Sequence, residues 1–341
     1  MALSPGCSLI AVVGGKGGVG KSVFAANFAS ALFLELRTPT LLIDADAKSC
    51  GDQNVILGLR PNKILSEVAN YQGSLNPQAL SQLVTNHSSG LSFIGAVRGP
   101  EEVLKANADS FLKQLEFLSR NYKYIVVDLG NDFQELQMAI LQEATAAVII
   151  TVPEVLVVNQ TQRLIHDLLT ATFPIDMFQL VINKASTGGL APQAIAQSLR
   201  IQPIGIIPVD DVTTASSLQR SSPFVLTNNK TPIAASYHEI VRKLTGGVLQ
   251  KLQALQKPKV TLGSTDSQKS NSSSEGLDPR TTLKIRTHNE LIKAMDLKKG
   301  ITDTQGDASK EAALRQKTQA MITQIVDKES PGMARDERSK I

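Results

Sequence analysis

The chain has no tryptophan, only 4% aromatic residues and only two cysteines in 341 residues. Base-stacking platforms for single-stranded nucleic acid lean on aromatic rings, so that class is disfavoured from the start. Cys7 and Cys50 stand far apart and form no C-x-x-C pair. A disulfide framework and a zinc site are therefore not expected, and two reduced thiols are. No run reaches the roughly 18–20 apolar residues that a membrane span needs. No basic segment precedes the apolar run 9–13, so a cleaved signal peptide is not expected either. The formal net charge of +4 is too small to create a field that demands nucleic acid or a membrane surface.

What remains is a 42% hydrophobic chain long enough for a large α/β domain with an appendage. Apolar runs rich in Val, Ile and Leu occur at 9–13, 40–44, 91–95, 124–128, 147–152, 178–183 and 204–207. Near-continuous hydrophobicity of this kind marks parallel strands buried on both faces. Helical patterns lie between and after them, at 21–36, 77–85, 101–120, 134–143, 155–171, 192–199 and 233–255. Alternating strands and helices predict a doubly wound, mostly parallel α/β sheet with ligands at the carboxyl ends of its strands. Composition changes after Gln256. Residues 257–280 are polar and serine-rich and predict a flexible linker between a domain at 1–256 and a small helical module at 281–341.

The most informative segment joins the first strand to the first helix. Gly15-Lys16-Gly17-Gly18-Val19-Gly20-Lys21-Ser22 fits G-x-x-x-x-G-K-[ST] with the required strand before it and helix after it. Its glycines let backbone N–H groups turn inward around phosphate oxygens, and the helix N-terminus adds positive potential. Lys21 is placed to reach the β- and γ-phosphates, and the Ser22 hydroxyl to bind Mg²⁺. The nucleotide-binding set is thus Gly15, Lys16, Gly17, Gly18, Val19, Gly20, Lys21, Ser22 and the adjoining Val23. Lys16 is an extra lysine that a plain P-loop does not need; on spacing alone it reads as a solvated loop residue.

The full K-G-G-V-G-K-S string resembles the deviant P-loop of the MinD/ParA group of ATPases. That resemblance covers residues 8 to about 250 and implies ATP and Mg²⁺ as cofactors. It also implies a homodimer that sandwiches ATP, with Lys16 reaching the partner's nucleotide as a catalytic residue beside Lys21. Asp44 and Asp46 follow the second strand. Two carboxylates at i and i+2 on an extended strand end project the same way and could serve metal and attacking water; two exposed turn aspartates would show the same spacing. The continuation Gly51-Asp52-Gln53-Asn54-Val55-Ile56-Leu57-Gly58-Leu59-Arg60-Pro61 resembles the CpaE/TadZ-type pilus-assembly relatives, with their G-D-x-x-x-x-L-G-L-x-P. It implies Asp46 as the hydrolysis aspartate and Asp44 as a magnesium-side residue.

The strand ending in Asp128 has the Walker B pattern and implies a second magnesium-side carboxylate. The family continues D-x-P-x-G or D-L-G-x-G; here Asp128-Leu129-Gly130-Asn131-Asp132 keeps Gly130, implied to approach the γ-phosphate, and lacks the second glycine. On the base side the resemblance implies Asn183, whose amide could read a base edge, and the Pro208 to Asp210 segment. Beyond the linker, residues 283–297 resemble the N-terminal helical segment of CpaF/TadA-type secretion ATPases; an ordinary amphipathic helix pair fits the same pattern.

These resemblances imply an ATP-driven dimerisation switch for a tight-adherence pilus or a type II/IV secretion apparatus, with that machinery as partner. They imply a cytoplasmic protein recruited to the inner membrane or a cell pole through those partners. A DNA-partition ATPase of the ParA type is a second reading, for which Arg242, Lys243 and Lys251 would supply cations; direct DNA binding is not favoured. A membrane-cycling MinD-like regulator is a third and would need 241–255 to be a lipid-facing amphipathic helix.

Overall fold

The computed structural model describes residues 3–73, 76–99 and 101–255, all within the unit Met1–Thr261. The linker expected at 257–280 and the helical module expected at 281–341 lie outside the described residues.

In chain order the elements are β1 (Ser8–Val13), α1 (Lys21–Leu36), β2 (Thr40–Asp44), α2 (Asp52–Leu57), α3 (Leu65–Ala69), α4 (Pro77–Leu83), β3 (Thr85–Asn86) and β4 (Ser92–Ile94). They continue with α5 (Ala108–Asn121), β5 (Tyr124–Gly130), α6 (Glu135–Glu143), β6 (Ala146–Thr151), α7 (Val155–Thr170), β7 (Phe178–Ala185) and α8 (Pro192–Leu199). The last are β8 (Pro203–Pro208), α9 (Asp211–Gln219), α10 (Phe224–Thr227), α11 (Pro232–Lys243) and α12 (Leu249–Leu255). Eight strands form one sheet in the order β3-β4-β2-β5-β1-β6-β7-β8. Every neighbouring pair is parallel except β3 with β4. The doubly wound α/β class expected from the alternation is the observed one.

Both sheet faces are covered, and the strand period of two sorts the side chains between them. Leu9, Ala11 and Val13 of β1 join Phe111 of α5, Ile140 of α6 and Ile165 of α7 in one core. Ile10 and Val12 join Phe24 and Phe28 of α1 and Tyr237 of α11 in the other. All six residues of β1 are buried. Flanked by β5 and β6, β1 sits where the chain winds first one way and then the other, which is where such sheets bind ligands.

Several boundaries differ from the periodicity. The helix expected at 101–120 starts only at Ala108, because the Asn107 side chain caps it by accepting from the Ser110 N–H at 2.9 Å. Upstream, the Glu102 carboxylate accepts from the Arg98 N–H at 2.7 Å and holds a loop instead. The long helix expected at 233–255 is broken: Gly246 and Gly247 leave helical geometry, and Gly247 takes φ 135°. Its apolar residues Tyr237, Ile240, Val241, Leu249 and Leu252 are buried on the sheet, so this stretch is a core element and not a lipid-facing one. Among the described residues no helix is long and apolar enough to cross a membrane. Strand β3 and the short helices α2, α3, α9 and α10 were not expected.

Candidate nucleotide site

The loop from Gly14 to Gly20 leaves the carboxyl end of β1 and feeds directly into α1. Gly18 and Gly20 have φ of 79° and 92°, the left-handed region where a Cβ is strained. Gly20 occupies the cap position of α1, and no side chain caps the helix. Its first-turn N–H groups thus face the loop's concave side, the arrangement that binds phosphate. Gly15 is required for a different reason: a Cβ there would stand 2.5 Å from the Gln160 carbonyl oxygen of α7. Gly15→Ala should therefore cost about 1–3 kcal/mol, a drop of roughly 2–10 °C in Tm. Thermal unfolding followed by circular dichroism measures it; an unchanged Tm would show that the loop does not depend on this close approach.

The two lysines of the loop part company. Lys21 is buried, with Nζ donating to the Lys16 carbonyl at 3.2 Å. Burial lowers its ammonium pKa, and the charges of Asp128 and Asp46 oppose the shift. Lys16 is exposed at the loop tip. The loop is braced from β7: the Asn183 amide nitrogen donates to the Val19 carbonyl at 2.8 Å, and Lys184 Nζ to the Gly18 carbonyl at 3.0 Å. Val19 itself is buried in the core, so it contributes backbone and packing.

Three carboxylates gather beside Lys21. Asp44 at the end of β2 and Asp128, two residues before the end of β5, are register partners on adjacent parallel strands and are buried; β5 thus runs past the end expected at 128. Asp46 is 2% exposed, which excludes the exposed-turn reading of the pair. The reason is not the one expected, since β2 stops at Asp44 and the chain turns there. The Asp46 N–H donates to Asp44 Oδ1 at 3.2 Å, and Gly51 N–H to Asp44 Oδ2 at 2.9 Å. Asp46 Oδ1 accepts from the N–H groups of Lys48 and Ser49 at 2.8 and 3.0 Å. Gly130, at φ 68°, packs so closely on the Asp46 carboxyl that a Cβ would overlap it. Burial raises the pKa of Asp44 well above its usual range, with Asp128 adding repulsion. Burial also raises Asp128, whereas hydrogen bonds from Gln53 and Ser22 pull it back. A buried carboxylate cluster of this kind invites a cation.

A cavity of about 540 Å³ opens beside the loop. Gly17, Gly18, Gly20, Lys21, Ser22 and Val23 form its phosphate end, joined by Asp46. Asn183, which lies against the loop, and Pro208, Asp210, Tyr237 and Phe224 also line the cavity. Asp210 Oδ1 accepts from the Thr213 N–H at 2.9 Å and caps α9, while the Asn183 amide nitrogen is committed to the loop. Both residues border the cavity, but the donors or acceptors assigned to them for base reading are partly used internally. Gly15, Lys16, Asp44, Asp128 and Gly130 surround the site without lining this cavity.

Sequence reasoning missed three side chains. Lys184 braces the loop tip. Gln53 of α2 donates to both the Ser22 carbonyl and Asp128 Oδ2, at 3.0 and 2.9 Å. Gln137 of α6 donates to the Ala45 carbonyl at 2.7 Å, between the two aspartates. Nothing in the local sequence distinguishes a clamping glutamine from a solvated one; only Lys184, next to Asn183, carried a positional hint.

The donor set fits magnesium. Ser22 and Asp128 lie in direct hydrogen-bond contact. Among the described residues no three His, Cys, Asp or Glu side chains form an all-protein metal cage. Magnesium is commonly held by one or two protein groups together with substrate phosphates.

A β1–loop–α1 phosphate cradle with a buried lysine, a following Ser22 and a facing Asp128 defines a P-loop NTPase. A profile of the ParA family, described as NUBPL iron-transfer P-loop NTPase, matches residues 7–245, and the chain belongs to that family. A putative septum site-determining protein MinD of Mesostigma viride is 25% identical over 244 residues, covering 70% of this chain and 83% of the relative. A ParA-family ATPase of Chlorobium tepidum superposes with TM-score 0.64 at 22% identity, over 70% of this chain and 98% of that one. The MinD protein of Pyrococcus horikoshii, solved with Mg-ADP, gives TM-score 0.61 at 21% identity, over 71% and 98%. Cys7 is buried at the start of β1, the strand end opposite the loop, and burial pushes its thiol up to about 12.

Proposed function

We propose that the chain is an ATP-binding and ATP-hydrolysing dimerisation switch that positions a larger assembly in the cell. The observation that carries this reading is the division of labour inside one loop: Lys21 is folded inward among the carboxylates, and Lys16 is exposed and unused by its own subunit's cavity. Backbone N–H groups from Gly17 to Ser22 and the Lys21 ammonium would hold the phosphates. Ser22 and Asp128 would hold Mg²⁺, which supplies charge neutralisation at the phosphates. Asp46, buried and held by two backbone N–H groups, would orient the attacking water. Lys16 of one copy would complete the phosphate site of the other, so ATP joins two subunits and hydrolysis releases them.

The likeness to MinD and ParA-family proteins favours division or partition as the process served. The Gly51 to Pro61 segment favours a pilus or secretion apparatus as the finer reading. Direct DNA binding gains little from the late helix, because Lys243 pairs with Glu239 at 2.8 Å and Arg242 Nε donates to the His238 carbonyl. Lys16→Ala tests the switch itself. ATP affinity should stay within about threefold, while the ATP-dependent dimer seen by light-scattering chromatography is lost. A dimer undiminished by Lys16→Ala refutes the role in trans. The cargo is then read by capturing partners from native extract with the ATP-held Asp46→Ala protein: division or partition proteins support one reading, and a secretion motor or membrane platform the other.

A further inference from the structure

We propose that Gln53 is a positioning residue that ties the Asp128 carboxylate to the first turn of α1 and thereby sets the affinity of the site for magnesium. The inference rests on the nucleotide reading above and deepens it.

Gln53 has no solvent exposure. Its amide nitrogen divides two bonds between the Ser22 carbonyl at 3.0 Å and Asp128 Oδ2 at 2.9 Å. Both partners are pure acceptors, so the nitrogen must face them and no carboxylate could replace the amide. The Asp128 carboxylate is thus held from three sides: by Gln53, by the Ser22 side chain and by the Gly130 N–H at 3.3 Å on Oδ1. Two of these tethers, Ser22 and Gly130, are parts of segments expected to answer to the nucleotide. Gln53 alone comes from α2, a separate element.

That element is pinned to the other strand-end carboxylate as well, since the Gly51 N–H at its cap donates to Asp44 Oδ2 at 2.9 Å. The first turn of α2 therefore spans both register partners, Asp44 and Asp128. The same helix lines the cavity through Asp52, Val55 and Ile56. Gln53 thus links both Ser22 and Asp128 to α2, beside the packing of Ile56 and Leu57 in the core shared with α1. The remaining polar atom of that side chain, Oε1, is buried and has no hydrogen-bond partner among the described residues. Gln137 Oε1 is buried and unpaired in the same way, so what sets Gln53 apart is its bond to the Asp128 carboxylate.

The full chain and its Gln53→Met variant are titrated with Mg²⁺ while binding of a fluorescent ATP analogue is followed, and binding is measured again in chelator. Outer-shell partners of metal ligands typically change metal affinity by about 10–100-fold. The half-saturating Mg²⁺ concentration of Gln53→Met should rise by about that factor, with magnesium-free nucleotide affinity within about threefold of the original. Gln53→Glu, which keeps the volume and replaces the donor with an acceptor, should shift it in the same direction. Gln137→Met is the comparison, because Gln137 is equally buried but its amide nitrogen bonds a backbone carbonyl and no carboxylate. An unmoved half-point in folded Gln53→Met, or an equal shift in Gln137→Met, overturns the proposal. Failure of both Gln53 variants to fold overturns it too, making the residue structural first. If the unaltered chain shows no magnesium-dependent binding, the nucleotide reading falls and takes this inference with it.

Discussion

Lys21→Ala should abolish measurable ATP binding. Lys21 is a buried cation whose pKa burial already lowers. The fold tolerates it there because Asp128 and Asp46 stand nearby and because the loop carbonyl of Lys16 accepts a hydrogen bond from its Nζ. Removing it deletes the charge-assisted contact to the phosphates and leaves the charges of Asp46 and Asp128 without the ammonium that stands beside them. Truncating one member of a buried, hydrogen-bonded charge pair costs about 2–5 kcal/mol, or roughly 30-fold to several-thousand-fold in Kd. Isothermal titration with ATP and Mg²⁺ measures it directly. Binding within about threefold of the unaltered chain would remove Lys21, and with it the P-loop assignment, from the account. Lys21→Arg should not rescue fully, because the planar guanidinium is larger than the ammonium and presents its donors in a different geometry.

Asp46→Asn and Asp46→Ala should both bind ATP and hydrolyse it about 10²–10⁴-fold more slowly, the range expected for loss of a positioned general base. The two variants differ in what else they remove. Asp46 Oδ1 accepts from the N–H groups of Lys48 and Ser49 and so shapes the 47–50 loop. Asparagine keeps one oxygen for those donors; alanine keeps none. If the charge is what matters, the two variants lose turnover alike and both accumulate the ATP-bound dimer. If the loop is what matters, Asp46→Asn retains turnover and only Asp46→Ala fails. Steady-state phosphate release, combined with light scattering in ATP, separates these outcomes. Normal turnover in Asp46→Asn would remove its carboxylate charge from the chemistry.

Most of the sheet was legible because a buried parallel strand must be apolar along its whole length. The strand at 40–44 and the helices at 21–36 and 192–199 have the bounds expected of them. The misses share a cause. β3 has only two residues, and α2, α3 and α10 are too short to display a helical period. The late start of α5 was hidden because an apolar-periodic pattern says nothing about which asparagine will act as a cap. The break at Gly246-Gly247 was hidden because two glycines within a periodic stretch are tolerated as often as not, and packing on the sheet decides.

The site divides along the same line. The P-loop was readable because phosphate binding needs glycine, lysine and serine at consecutive positions of one turn. Chemistry confined to a local backbone path leaves a local signature. Asp44 and Asp128 were readable as strand ends, since a carboxylate closing an apolar strand breaks its pattern. Their pairing in register, their complete burial and the resulting upward pull on their pKa values needed the sheet order that places β2 beside β5. The resemblance implied Asn183 as a base reader; the fold puts it at the cavity and adds a second task, the bond from its amide nitrogen to the Val19 carbonyl. Gln53 and Gln137 left no readable mark, and Lys184 only its place beside Asn183, because a side chain that clamps a distant group is defined by its partner and not by its neighbours in sequence. The sequence by itself thus determined the class of fold and the phosphate end of the site, through requirements met within a few consecutive residues. Which carboxylates face one another, which lysine is folded in and which left out, and what holds Asp128 in place were decided only when strands far apart in the chain were brought side by side.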